Sequence, residues 1–279
     1  MTAHRPHRIR LLVAALAGIL MLTGFTLAAA AASPPPASVA KISAAPKPTM
    51  VLVHGAFADS SGWNPVAARL LGEGYPVIAF SNPLRGPATD AVYLRQLLST
   101  IDGPIVLVGH SYGGAVITNA ATGDPDVKAL VYIAAYALAE GESVAAANAL
   151  GGGHTDVIDH LVVRPFPGAT GGDADAFIDP VHFPTLFAQD LPKSTARVMA
   201  ATQRPGALAA LVTPSGAPAW LTIPSWYLVA RQDRIIPPEA ERAMAERAGS
   251  TTVEIDSSHV AMLSHPAAVL SLIKAAARG

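Results

Sequence analysis

The chain has 279 residues, a formal net charge of −1 and no cysteine. This length suits one large domain with a sizeable core, and the lack of cysteine excludes disulfides, thiolate metal ligands and a cysteine nucleophile. Residues 33–279 carry 16 basic against 20 acidic side chains, so the sequence has no basic surface for nucleic acid.

Residues 1–32 have the pattern of a signal peptide. Basic residues up to Arg10 precede an apolar stretch that ends in small residues, where Ala28–Ala30 is one possible cleavage motif. The pattern predicts secretion with cleavage near its end. Because the apolar stretch is long for a signal peptide, the alternative is an uncleaved membrane anchor over residues 11–32. Residues 33–48 are rich in Pro, Ala and Ser, which predicts a linker.

The folded domain is predicted over residues 49–279, and its first buried strand, residues 50–53, runs into a His-Gly turn. The small Gly55 lets the backbone turn so that the amide of Ala56 points above the end of the strand. The side chain of His54 is predicted to hold this turn by hydrogen bonds.

Two helices and one strand are predicted between this turn and the middle of the chain. The first helix has Ser60 or Ser61 as its N-cap, followed by apolar residues at the spacing of one helix face. A strand over residues 76–80 comes next, and the second helix ends near Ile101.

Residues 105–115 predict a buried strand, a sharp turn and the start of a helix. In that context Gly109-His110-Ser111-Tyr112-Gly113 fits the G-x-S-x-G pattern of a nucleophile elbow. Glycines are expected at 109 and 113 because side chains there would collide with neighbouring backbone, whereas Ser111 projects above the sheet edge. Free amides at the start of the helix favour negative charge nearby.

After a further strand over residues 129–135, the pattern breaks from residue 136 to residue 220. This segment has repeated Pro and Gly and short helical pieces, and it has no clean strand pattern. An insertion of this size between two strands predicts a cap over the sheet edge, or a core that packs on itself. Its aromatic side chains, with one from the first loop, are candidates for lining a pocket: Phe57, Phe166, Phe183 and Trp220.

The sheet pattern resumes with strands over residues 225–230 and 252–255, and the final helix is predicted over residues 266–276. Asp233 lies in the loop after the first of these strands, and His259 lies in the loop after the second. Alternation of strands and helices predicts an α/β fold with a mostly parallel central sheet, helices on both faces and an inserted cap over residues 136–220.

Ser111, Asp233 and His259 have the residue types and the order of a nucleophile, an acid and a base. A serine hydroxyl needs a base to take its proton, and that base needs a carboxylate to orient it. Carboxyl ends of parallel strands meet at one edge, so these loops are expected to lie together. Asp256 and Glu239 are competing acids, but Asp256 is only three residues from the histidine and Glu239 points along a helix start.

Two backbone amides are candidates for an oxyanion hole, those of Ala56 and Tyr112. No metal or other cofactor is predicted. Histidines and acids occur together at His154, Asp156, Asp159 and His160, but their glycine-rich surroundings are more typical of a solvated loop than of a metal site.

These motifs resemble the α/β-hydrolase superfamily over residues 49–278. The resemblance is carried by residues 51–56, 109–114, Asp233 with Ile236 and Pro237, and 259–263 with Pro266. The most similar branch contains esterases, among them plant methyl-ester hydrolases, and hydroxynitrile lyases. Lyases of this type carry a threonine and a lysine where this chain has Gly55 and Val260, so the resemblance favours an esterase.

The resemblance and the motifs together imply a secreted serine hydrolase that acts on small or medium carboxylic esters through a covalent acyl-enzyme. The expected partner is a small-molecule ester, and the membrane is a partner only if residues 1–32 stay attached. One alternative is another reaction on the same residues, as in a hydroxynitrile lyase, perhydrolase or amidase. The other is a non-catalytic binding protein on the same fold.

Overall fold

The computed structural model describes residues 46–279. The predicted signal peptide and nearly all of the predicted linker lie outside the described residues. Within residues 46–279, no helix has the length and apolar character needed to cross a membrane.

A six-stranded sheet forms the centre of the described region. In residues 46–279 the strands are β1 (Thr49–Val53), β2 (Val77–Phe80), β3 (Ile105–Ser111), β4 (Val127–Ala135), β5 (Leu161–Arg164), β6 (Asp175–Ile178), β7 (Gly206–Ala207), β8 (Ser225–Ala230) and β9 (Thr251–Ile255). The central sheet has the order β2-β1-β3-β4-β8-β9, and its neighbouring strands pair in parallel. This is the predicted mostly parallel sheet.

Helices surround this sheet. They are α1 (Asn64–Gly72), α2 (Pro87–Leu98), α3 (Tyr112–Ala120), α4 (Val144–Ala147), α5 (Phe183–Leu186), α6 (Lys193–Ala201), α7 (Leu208–Val212), α8 (Pro238–Arg247), α9 (Ala261–Ser264) and α10 (Pro266–Ala276), with short 3₁₀ helices at Ser60–Trp63, Leu150–Gly152, Val157–His160 and Ala219–Leu221. Because helices cover the sheet, every residue of β1 and β3 is buried, as their continuous apolar sequences require.

The strand at one edge of the sheet shows the opposite pattern. Four of the five residues of β9 are exposed, and its sequence mixes threonines with a glutamate. A polar, exposed edge discourages pairing with another chain.

The start of the first helix differs from the prediction. Residues 60–63 form a 3₁₀ helix whose N-cap is Asp59, and α1 begins only at Asn64. The carboxylate of Asp59 accepts the amide of Ser61 at 2.8 Å. A carboxylate is a stronger acceptor than the serine hydroxyls that the sequence analysis chose as caps.

The segment between β4 and β8 contains strands, although the sequence analysis predicted none. Strands β5, β6 and β7 form an antiparallel sheet of their own, with Val162 paired to Phe177 and Ala176 to Gly206. The strands have four, four and two residues, which is too short for a visible alternation. Their pairing comes from contacts between segments far apart in the sequence.

Candidate active site

The elbow joins β3 directly to α3. Ser111 is the last residue of β3, and its backbone has φ 54° and ψ −128°, which is rare for a residue with a side chain. A Cβ on Gly109 would lie 2.7 Å from the carbonyl oxygen of Gly113, and a Cβ on Gly113 would overlap the carbonyl oxygen of Val53. The predicted steric reason for both glycines is therefore confirmed.

The loops after β8 and β9 bring Asp233 and His259 into contact. Nδ1 of His259 lies 2.5 Å from Oδ2 of Asp233, and both side chains are fully buried. Oδ1 of Asp233 accepts the amides of Ile235 at 2.7 Å and Ile236 at 3.1 Å. Because a carboxylate with these donors only accepts, Nδ1 carries a proton, and in the uncharged form of the ring Nε2 carries a lone pair.

Nε2 of His259 is the chemically available atom of this pair. It is buried and has no hydrogen-bond partner within residues 46–279. Ser111 reaches the same edge of the sheet from β3. A hydrogen bond between a nucleophile and its base often tightens only when substrate is bound.

The competing acids lie elsewhere. Asp256 pairs with Arg231 at 2.8 Å on the surface, and Glu239 is exposed on α8. Of the three acids weighed from the sequence, Asp233 is the one that contacts His259.

Three side chains that the sequence analysis did not select hold the His259 loop. Asp190, from the inserted segment, accepts the amide of Ser258 at 2.8 Å and the hydroxyl of Ser258 at 2.5 Å. Nε2 of His110 donates to the carbonyl oxygen of His259 at 2.9 Å. The ring of Phe187 packs edge-on against the His259 ring, with centroids 4.9 Å apart. Only His110 has a sequence signal, since it lies inside the elbow motif.

The candidate oxyanion amides belong to Ala56 and Tyr112. Neither amide donates to a protein acceptor in the part of the chain that the structure describes. The next residue, Phe57, has φ 62°, and its amide donates to the carbonyl of Arg204 at 2.9 Å. A Cβ on Gly55 would lie 3.0 Å from Oγ of Ser111, so the loop that carries Ala56 runs beside the serine.

The side chain of His54 holds this loop, as predicted. Its Nε2 accepts the amide of Asn82 at 3.0 Å, which leaves Nδ1 to donate to the carbonyl of Gly55 at 2.9 Å. Burial lowers the pKa of His54, so the ring stays neutral. The loops after β1 and β2 are thereby tied together.

Tyr112 is anchored by a further buried acid that the sequence analysis missed. Its hydroxyl donates to Oδ2 of Asp90 at 2.8 Å. The same carboxylate accepts the amide of Arg85 through both oxygens, at 3.0 and 3.1 Å. Burial raises the pKa of Asp90 even though these donors oppose the shift. The start of α3 is thus fixed to the loop after β2.

A small, mostly apolar cavity of about 30 Å³ lies beside Ser111. The inserted segment supplies much of its wall, through Val144, Ala145, Val157, Ile158, Leu161 and Leu211. An outer groove shares Ala145, Ile158, Leu161 and Leu211 with it and continues to Leu208 and Val212.

Of the four aromatic residues predicted for the pocket, Phe57 lines this cavity. The structure places the other three elsewhere. Phe183 is fully buried and stacks on Phe187 with centroids 4.7 Å apart. Phe166 packs under the guanidinium of Arg85, and Nε1 of Trp220 donates to a backbone carbonyl. Aliphatic side chains take the place of these rings in the cavity wall.

The histidines and acids near residue 154 do not gather. Within residues 46–279, no group of three or more His, Cys, Asp or Glu side chains is placed to hold a metal ion. Nε2 of His154 lies 3.4 Å from Asp156 on the surface, whereas the ring of His160 stacks on His182.

Comparison with known proteins agrees with this architecture. Residues 50–272 match the alpha/beta hydrolase family. The alpha/beta hydrolase nvfD of Aspergillus novofumigatus (strain IBT 16806) is 26% identical over 255 residues, which span 83% of this chain and 97% of that protein. The carbendazim hydrolyzing esterase of Nocardioides sp. (strain SG-4G) is 31% identical over 143 residues, 42% of this chain and 59% of that esterase.

A solved structure shows the same fold. The crystal structure of polyneuridine aldehyde esterase superposes with a TM-score of 0.69 and 20% identity, covering 82% of this chain and 98% of that one. The family match spans nearly all of the described residues, and named esterases recur among the similar proteins. The chain therefore belongs to the alpha/beta hydrolase family and, as its motifs predicted, is similar to the esterase-like branch of that family.

Proposed function

We propose that the chain is a secreted serine carboxylesterase of small or medium esters. The observation that carries the proposal is the buried His259–Asp233 pair, whose Nε2 has no protein partner in residues 46–279, at the same sheet edge as the strained Ser111. An esterase-type family membership supports the same reaction.

The first half of the proposed reaction forms an acyl-enzyme. Oγ of Ser111 attacks the ester carbonyl carbon while Nε2 of His259 takes the hydroxyl proton. The carbonyl oxygen becomes an oxyanion, and the amides of Ala56 and Tyr112 donate to it. When the C–O bond to the alcohol breaks, the imidazolium returns its proton to the leaving alkoxide. The acyl group then remains on Ser111.

The second half releases the acid and restores the enzyme. Nε2 of His259 takes a proton from water, and the hydroxide oxygen attacks the acyl carbon. The same two amides stabilise the second oxyanion, and the proton returns to Oγ of Ser111 as the carboxylic acid leaves. Asp233 keeps its charge throughout and stabilises each imidazolium.

The cavity supports a neutral, apolar ester as substrate. No lysine or arginine is among the residues of the described chain that line it. A carboxylate or phosphate on the substrate would therefore lose its hydration without gaining a cation. Longer acyl or alkyl chains could continue into the outer groove, whose walls are also largely apolar.

A lyase reaction is less well supported by the residues around His259. The next residue, Val260, is apolar and fully buried, so it offers no cation to a departing anion. Secretion is proposed from the signal-peptide pattern of residues 1–32 alone.

Hydrolysis of p-nitrophenyl esters of increasing acyl length tests the function directly. We expect turnover by protein that begins at Ser33, with an optimum at short or medium chains, and a fall of about a million-fold in kcat for Ser111→Ala. Retention of activity in that variant would exclude Ser111 as nucleophile. A folded protein with no turnover on any ester would favour the amidase, perhydrolase, lyase or binding alternatives.

A further inference from the structure

A second buried carboxyl group lies behind the His259–Asp233 pair. Glu241 is on α8, the helix that follows the Asp233 loop, and it is completely buried. Its Oε2 accepts the amide of Ala230 at 3.0 Å, and the carbonyl of Ala230 accepts the amide of Asp233 at 3.0 Å. Glu241 therefore borders the strand end from which the Asp233 loop starts.

The two carboxyl groups are in contact. Oε1 of Glu241 is buried and accepts no hydrogen bond from any donor in residues 46–279. The side chain of Glu241 also lies within hydrogen-bonding range of Asp233. Two ionised carboxylates in such contact would repel each other strongly at the low dielectric of the interior. A proton on one of them removes this repulsion.

The donors around each group decide where that proton resides. Asp233 accepts from the amides of Ile235 and Ile236 and faces Nδ1 of His259, and all three favour its ionised form. Glu241 accepts one amide, on Oε2 only. Burial first, and the charge of Asp233 second, raise the pKa of Glu241 well above its ordinary value.

The other ionisable groups around Glu241 leave this assignment unchanged. Arg242, on the same helix, is largely solvated and pairs with Glu254 at 2.9 Å. Tyr227, from β8, and Tyr136, which follows β4, both donate their hydroxyl protons to other acceptors. Neither tyrosine supplies a donor to Glu241.

We propose that Glu241 is a positioning residue, a neutral carboxylic acid whose Oε1–H donates a hydrogen bond to the carboxylate of Asp233. The role rests on the function proposed above. This bond fixes the carboxylate and spreads its negative charge. Asp233 then stabilises the protonated, positively charged form of His259 less strongly. The hydrogen bond from Glu241 thereby helps to set the pH above which Nε2 of His259 is free to act as a base.

The pH dependence of kcat/KM distinguishes this role from a structural one. Glu241→Gln keeps a donor for Asp233 and an acceptor for the amide of Ala230. The acid limb of its kcat/KM profile, where activity falls as the pH decreases, should therefore lie at the same pH as in the wild type. Glu241→Met removes the donor and leaves Asp233 more basic, so its acid limb should move up by about 0.5 to 1 pH unit. If Glu241 is ionised instead, removing its charge moves both acid limbs to lower pH, which would overturn the proposal.

A second measurement tests whether native Glu241 is protonated, and it does not depend on enzyme activity. Unfolded Glu241 ionises above about pH 4.3 while the native group stays protonated, so the wild type should lose stability relative to Glu241→Gln as the pH rises. Urea unfolding of the full chain from pH 5 to pH 8 measures this difference. The unfolding constant of the wild type, divided by that of Glu241→Gln, should increase by about tenfold per pH unit. A ratio that stays constant would mean an ionised native Glu241.

The matched control is Glu239→Gln, which changes an exposed glutamate two residues earlier on α8. It should match the wild type in both the pH profile and the pH dependence of unfolding. The unfolding experiment still reports on Glu241 if Ser111→Ala keeps its activity or if Glu241→Met does not fold. Failure of the proposed function and failure of this inference can therefore be told apart.

Discussion

At the scale of single residues, backbone strain coincides with the candidate oxyanion groups. Ser111 and Phe57 both have positive φ, at 54° and 62°, and they lie next to Tyr112 and Ala56 in the chain. A residue with a side chain adopts such angles at a cost of about 1–3 kcal/mol, so the surrounding structure must hold it there. The bond from the Phe57 amide to Arg204 is one such restraint.

Replacement of Asp233 by asparagine tests the proposed orientation of His259. An amide nitrogen facing Nδ1 would favour the ring tautomer with its proton on Nε2, which cannot accept from Ser111. We expect Asp233→Asn to lower kcat by about 10⁴-fold with little loss of secondary structure. Asp256→Asn should retain wild-type kcat on the same p-nitrophenyl ester, because Asp256 pairs with Arg231 on the surface. Equal losses in both variants would contradict the assignment of the acid.

At the scale of elements, the segment between β4 and β8 contacts three of the loops at the sheet edge. It meets the loop after β1 through the carbonyl of Arg204, and the loop after β2 through the amide of Ala207, which donates to Leu84 at 2.9 Å. It also meets the loop after β9 through Asp190. The segment therefore helps to define the positions of both the candidate oxyanion amides and His259.

Removal of the Asp190 carboxylate should loosen the His259 loop. Asp190→Ala leaves the amide and hydroxyl of Ser258 without their shared acceptor, which we expect to cost about 1–3 kcal/mol in unfolding free energy. A tenfold or larger fall in kcat should accompany this loss of stability, because poorer positioning of His259 that raises the activation free energy by about 1.4 kcal/mol slows the reaction tenfold. Asp159→Ala, an exposed acid in the same segment, is the control for chemical denaturation and ester kinetics. Unchanged kcat in Asp190→Ala would argue against positioning by the insertion.

Elements of the central sheet were predictable because their patterns are local. Strand β8 and helix α10 have the predicted bounds. In the sequence, a run of mostly apolar residues marks the strand and a proline marks the start of the helix. The three strands of the insertion were not predictable, because each is short and is stabilised by a partner far away in the chain.

The candidate site divides in the same way. Ser111, Asp233 and His259 stood out because motif and chain order mark them. Asp190 and Glu241 carry no comparable signal, since an acid in a loop and an acid on a polar helix are ordinary surface residues. Their roles arise from burial and from contacts with loops that only the folded chain brings near.

At the scale of the whole molecule, the sheet order explains why distant residues meet. Parallel strands end at a common edge, and β3, β8 and β9 place Ser111, Asp233 and His259 there, although the first and the last are 148 positions apart in the sequence. The side chains of Ser111, Asp233 and His259 on that edge are buried. The edge consequently contains titratable groups whose protonation is linked to folding.

His110 should make the stability of the molecule depend on pH. Burial, and secondly the nearby His259, hold the pKa of His110 well below its ordinary value, and the ring is fully buried. As the pH falls below about 6.5, the unfolded chain gains a proton at this residue and the native chain does not, so the native state loses up to about 1.4 kcal/mol per pH unit. Above that pH this contribution is fully present.

Urea unfolding of wild type and His110→Gln between pH 5 and pH 8 measures this linkage as a difference, so that contributions from other titrating groups cancel. Glutamine keeps an amide donor for the carbonyl of His259 but cannot be protonated. We expect the stability of the wild type relative to the variant to be constant above pH 7 and to fall steadily below about pH 6.5. A difference that does not change with pH would mean that native His110 accepts a proton as readily as the unfolded chain, which its burial and its bond to the His259 loop argue against.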